Sequence, residues 1–220
     1  MPRRRPALLP SWISEGHPLY LNSEARSRIR QEFHGNSGIF LNIPYSDRYS
    51  NLEVATISTV TAYGLTPRMA RERVRLEVRA QKIFELILSC RYGFTDLSYQ
   101  TRMNMPLELG LLLALGKETF VTSKKRYSSL KSISDLNFGD IHYHGGSVRT
   151  LIKELSRWIE QTCSTKQLTT KDLLKRYRMV YRFRNELGED FDKRLPQLIS
   201  RLLRIFEQEF KAEIPRARAL

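Results

Sequence analysis

The sequence predicts an α/β fold, a parallel sheet of five short strands with helices on both faces and a helical extension behind it. Three observations carry that prediction. Between Gly38 and Gln161, compact apolar runs of strand length alternate with segments of helical periodicity, the order that parallel strands joined by crossover helices require. The stretch before Gly38 is rich in arginine and proline and is broken by turn residues. The stretch after Cys163 has no strand-like run at all. The expected organisation is therefore a basic arm over 1–37, an α/β domain over 38–163 and a basic helical extension over 164–220.

Each element has its own reason. "SEARSRIRQEF" can make a short polar helix inside a segment otherwise read as a flexible arm. "GIFLNIPY" suits a buried strand stopped by Pro44. "SNLEVATISTVTAYG" places Leu52, Ala55, Ile57, Thr59 and Val60 at helical spacing, and Gly64 ends it. "LTPRMA" is a strand candidate with Pro67 near an edge or end. "RVRLEVRAQKIFELILSC" carries an apolar stripe through Val74, Val78, Ile83, Phe84, Ile87 and Leu88. "RYGFTDLS" is a short strand that delivers Asp96 at its carboxyl end, and "NMPLELGLLLALGK" is a helix capped by Gly116. "ETFVTS" and "GDIHYH" supply the last strands, with a polar helix or loop, "RYSSLKSISDL", between them. "SVRTLIKELSRWIEQTC" turns Val148, Leu151, Ile152, Leu155 and Ile159 inward, with Trp158 beside them. Five strands in about 125 residues suit a flavodoxin-like or Rossmann-like unit, of which the flavodoxin-like parallel sheet is the expectation.

Composition narrows the function classes. The chain has 220 residues, 41% hydrophobic and 27% charged, an ordinary balance for one sizeable domain with extensions. Its longest apolar run, Leu109–Leu115, is far too short to span a bilayer, and the start has no apolar signal core. Two cysteines distant in sequence make neither a disulfide framework nor a zinc motif, so a reducing cytoplasm is the expected setting. A net charge of +14 draws polyanions or anionic small molecules toward the surface.

One carboxylate stands out. Glu108 interrupts the apolar run of "MPLELGLLLALG", and a charge there is costly unless paired, capped or used. Pro106 favours a first-turn position with Asn104 or Met105 as cap, so Glu108 falls in or just after that turn. A carboxylate there is favoured by the helix dipole and can cap a free N–H. It also follows directly on the loop after the strand that ends in Asp96, so both carboxylates are expected at one crevice. In open parallel sheets ligands bind outside the carboxyl ends of the strands, which brings in Asn42 after the first strand, Arg68 after the second, and Arg102 and Asn104 before the helix.

Together, "IFLNIPY", "YGFTDLS" and "NMPLELGLLLALGK" before "TFVTS" resemble the nucleoside 2-deoxyribosyltransferase-like group, in a bacterial branch. That group is related in fold to the TIR-type NAD glycohydrolases. The resemblance covers roughly Gly38 to Gln161, and Asp96 followed by the "MPLELG" helix is its most specific part. It implies that Glu108 attacks or stabilises the anomeric carbon of a nucleoside, nucleotide or NAD. It implies that Asp96 binds sugar hydroxyls or protonates the leaving base, and that Tyr45 lines the pocket. It further implies a nucleotide-depleting effector of bacterial antiviral defence. Two departures accompany it: "NIPYSD" replaces the glycine-rich turn after the first strand, and Arg102 and Asn104 stand where a second aspartate is usual. An arginine there suits a substrate with phosphates.

Other motifs have plainer readings. Arg68 and Glu72 at i,i+4 suit an exposed ion pair. His142 and His144 share one strand face by period two, but two ligands make no metal site. Cys90 ends an apolar helix and suits the core. "KRYRMVYRFR" sets Lys175, Arg176, Arg178, Arg182 and Arg184 among aromatic residues. That mixture serves single-strand nucleic-acid binding, or packs its aromatics on the domain or on another copy in a homo-oligomer. The expected activity is N-glycosidic bond cleavage or transfer, with no cofactor, no metal and no membrane partner. The alternatives are a non-catalytic nucleotide sensor at the same crevice and a nucleic-acid-binding protein.

Overall fold

The structure is a computed structural model and describes residues 21–33, 37–44, 49–69, 76–98, 104–124, 141–163, 167–169, 172–173, 175–176 and 204. In chain order the elements are α1 (Ser23–Phe33), β1 (Gly38–Asn42), α2 (Ser50–Ala62), β2 (Thr66–Arg68), α3 (Leu76–Ser89), β3 (Tyr92–Asp96), α4 (Asn104–Ala114), β4 (Glu118–Ser123), β5 (Ile141–Tyr143) and α5 (Val148–Thr162). The five strands form one sheet in the order β2-β1-β3-β4-β5, and every pairing is parallel. This is the flavodoxin-like order that the alternation of elements predicts, with its reversal between β1 and β3. No helix among the described residues is long and apolar enough to cross a membrane.

Strand alternation sorts the core into two layers. Ile39, Leu41, Tyr92, Phe94 and Phe120 point to one face, where α2 and α5 bury Val54, Ile57, Val60, Leu151, Ile152, Leu155 and Ile159 against them. The inward stripe read for α5 is the observed one, and Trp158 packs edge-on to Tyr92 and Phe120. On the other face Phe40 meets Ile87 of α3, Cys90 just after it and Leu112 of α4, while Leu97, Leu109, Val121 and Ile141 form a smaller cluster. Cys90 is core, fully buried.

Two local features set the height and direction of α4. A Cβ on Gly93 of β3 would stand 2.8 Å from Leu112 Cδ1 and 2.7 Å from Thr119 Oγ1, so glycine lets the helix sit close on the sheet. At its end Gly116 takes φ +63. The Gly116 and Lys117 amides reach back to the Leu113 and Leu112 carbonyls, both at 2.9 Å, the pattern that stops a helix at a glycine.

Two expectations are corrected. The segment read as a flexible arm holds a docked helix: Leu21 and Ala25 are buried with Phe84 and Leu88 of α3, so residues 21–33 belong to the domain. Asn104 and Met105 are the first residues of α4 and not its cap. Beyond the domain edge expected at Cys163, Leu173 of the extension packs into the main core. There Thr169 and Asp172 cap a further helix reciprocally: the Asp172 N–H donates to Thr169 Oγ1 at 3.2 Å, and the Thr169 hydroxyl to Asp172 Oδ2 at 2.7 Å.

Candidate functional site

The carboxyl end of the sheet gathers the polar residues. Asn42, last in β1, is buried, and its side-chain amide donates to the Met105 carbonyl at 2.8 Å and to Thr95 Oγ1 at 3.4 Å. One amide thus ties the ends of β1 and β3 to the first turn of α4, at the reversal of strand order where open parallel sheets receive ligands. Glu108 stands just past that turn and is only 7% exposed. Its Oε1 accepts from the Asn104 amide one turn earlier at 3.5 Å. Its neighbours Leu109 and Leu112 are wholly buried, which keeps water from the inner side of the carboxylate.

Asp96, last in β3, is fully buried and accepts on both oxygens. Oδ1 takes the Ser98 N–H at 2.8 Å, and Oδ2 faces His144 Nε2 at 3.0 Å. The Gly146 N–H donates to His144 Nδ1 at 2.9 Å, so Nε2 carries the imidazole proton and donates to Asp96. Ser98 Oγ lies 3.3 Å from the same Nε2 and accepts the Lys124 N–H at 2.7 Å. Tyr49, leading into α2, completes the surroundings. Burial, then the charge of Asp96 and the approach of the hydroxyl to that carboxylate, and last the charge of Glu53, hold its phenol well above the usual tyrosine range.

The two carboxylates start from opposite faces of the sheet. By strand alternation Asp96 follows Tyr92 and Phe94 toward α2 and α5, while Asn42 follows Phe40 toward α3 and α4, where Glu108 resides. Asn104 is exposed at the start of α4, and Arg68 is half-buried at the end of β2. Tyr45 and Arg102 lie outside the described residues, as do Glu72, Arg178, Arg182 and Arg184. Of the basic extension, Lys175 and Arg176 are exposed, and the Arg176 guanidinium donates to the Ala62 carbonyl at 2.6 Å, at the C-terminal end of α2. The two histidines part company: His142 stacks on Phe120 at 4.4 Å and lies 3.4 Å from Glu154, whereas His144 lies just past β5 and turns to Asp96. Among the described residues no group of three or more His, Cys, Asp or Glu is placed to hold a metal ion.

Sequence reasoning missed Ser98, Tyr49 and the pairing of His144 with Asp96. The last was within reach, since both residues follow strands of one parallel sheet and both fall at its carboxyl end. Comparison of the chain with protein-family models, with curated proteins and with solved structures found no match.

Proposed function

We propose that the chain cleaves or transfers an N-glycosidic bond of a nucleoside, a nucleotide or NAD, with Glu108 stabilising or attacking the anomeric carbon. The observation that supports this most is the nearly buried Glu108 just beyond the first turn of an apolar helix, beside the reversal of strand order. Breaking such a bond passes through an oxocarbenium-like state, and a desolvated carboxylate is worth more to that cation than a hydrated one. Attack by the carboxylate would give a covalent glycosyl intermediate, open to water or to a second base. No cofactor enters. Asp96 accepts hydrogen bonds on both oxygens, which suits holding the site more than giving a proton to the leaving base. Arg102, two positions before Asn104 in the sequence, suits a phosphate-bearing substrate. Acting on NAD or a nucleotide pool, the chain would serve as a depleting effector in bacterial defence.

The full burial of Asp96 favours a second reading, a nucleotide sensor that binds at the same crevice without reaction. Incubating the full chain with NAD and a panel of nucleosides and nucleotides, beside Glu108→Gln, separates the two. Base release by the wild type that vanishes in Glu108→Gln is the expected result. Release that survives in Glu108→Gln overturns the role of Glu108. Binding with no release from any substrate selects the sensor.

A further inference from the structure

We propose that His144 is a positioning residue of the candidate site, acting through Asp96 on the end of β3 and from there on the helix that carries Glu108. The inference rests on the N-glycosidic reading for its effect on turnover, and on geometry for the coupling itself.

The imidazole is 2% exposed and has a defined partner at each nitrogen. Gly146 N–H fixes Nδ1 as acceptor, so the Nε2 proton is directed at Asp96 Oδ2 and Ser98 Oγ. Carboxylate and hydroxyl therefore share one nitrogen while a backbone amide holds the other. A serine nucleophile needs its hydroxyl and the orienting carboxylate on opposite nitrogens, so this cluster is not a nucleophilic triad. It is a clamp on the ends of β3, β4 and β5, because Ser98 also takes the Lys124 amide just after β4. Burying a carboxylate and an imidazole costs solvation that apolar residues of similar size would not. The cluster is thus an expensive way to close a sheet and a direct way to fix a carboxyl end where ligands bind.

The connection onward is continuous. Thr95 precedes Asp96, and its hydroxyl oxygen faces the Asn42 amide, which donates in turn to the Met105 carbonyl in the first turn of α4. Met105 stands three residues before Glu108. A shift of the β3 end by a fraction of an ångström is thereby passed to the helix start, and displacements of about 1 Å at a reacting group can cost about 100-fold in rate.

Two substitutions separate this role from a structural one. In His144→Gln the amide nitrogen can take the place of Nε2 and keep the bond to Asp96, losing the acceptor for Gly146. In His144→Asn the carbonyl oxygen can take the place of Nδ1 and keep Gly146, losing the donor to Asp96. The readouts are the buried Asn42 side-chain ¹H–¹⁵N signals and their exchange with solvent, and the kcat and KM for base release from whichever substrate of the panel reacts. His144→Asn is expected to move the Asn42 signals and to lower kcat about tenfold or more with KM within about threefold. His144→Gln is expected to stay near wild type in both. Unmoved Asn42 signals in His144→Asn overturn the proposal, as do equal losses in both variants that track melting temperature. If the wild type releases no base, the N-glycosidic reading falls, and the Asn42 signals still decide the coupling. If His144→Asn does not fold, Asp96→Asn, which faces the Nε2 proton with an amide, is read by the same signals with the same expected shift.

Discussion

Asn42 holds Met105 across the reversal of strand order: the end of the first strand donates 2.8 Å to a carbonyl in the first turn of α4. The bond is buried, joins residues far apart in sequence, and fixes where the helix begins relative to the sheet.

Asn42→Ala removes the side-chain donor that ties that carbonyl and the Thr95 hydroxyl to the end of β1. Losing one partner of a buried hydrogen bond costs about 1–3 kcal/mol. The urea midpoint is expected to fall by the corresponding amount with an unchanged slope, and base release is expected to fall further than folded fraction alone explains. Equal midpoints for wild type and variant would show that the amide is not a stabilising tie.

Gly93→Ala places a methyl group against Leu112 and Thr119 at contacts under 3.0 Å. The helix must lift or the side chains must leave their rotamers, a strain of about 1–3 kcal/mol. Thermal melting is expected to drop by several degrees, and Gly93→Ala combined with Leu112→Ala is expected to recover part of the loss.

Lys117 is buried at the C-terminal end of α3, where its ammonium donates to the Leu88 carbonyl at 3.2 Å and to the Cys90 carbonyl at 2.5 Å. Desolvation pulls its pKa below the ordinary lysine value of 10.5. Between that lowered value and 10.5 the unfolded chain binds the proton that the folded chain has released, so this group adds stability as pH rises. Below the window both states are charged and the contribution is flat. The stability of wild type minus that of Lys117→Met, measured by urea unfolding across the alkaline range, is expected to rise as pH climbs toward 10.5. A difference that falls there contradicts the assignment.

Leu173 is 6% exposed and belongs to the main core. Leu173→Ala is expected to cost about 2–3 kcal/mol in urea unfolding, and truncation after Cys163 at least as much. If truncation leaves the midpoint unchanged, the start of the extension is not part of the folded unit.

How much of this was legible depends on distance along the chain. Strands such as "GIFLN" and the stripe of α5 announce themselves locally, because burial on both faces or one face dictates the period of apolar residues. The α1 helix hid because its docking rests on Leu21 and Ala25 within a polar segment, too sparse for periodicity to register. Glu108 was visible as a charge in an apolar run. The partners of Asp96 were not, since Ser98 and His144 meet it only when β3 and β5, separated by β4, end at one edge. Period two put His142 and His144 on one face, but β5 stops at Tyr143, and past that point the strand rule no longer holds.

The strand order carries a consequence in time. Gly38 pairs with Thr66, and Ile39 with Tyr92, so the apolar strand β1 must await one neighbour and then a second, later one. During synthesis, at about 5–20 residues per second, β1 leaves the ribosome seconds before β3 exists to flank it. A nascent chain halted between Thr66 and Tyr92 would still leave the β3-facing edge of β1 unpaired, and that edge needs protection until Tyr92 and its neighbours emerge.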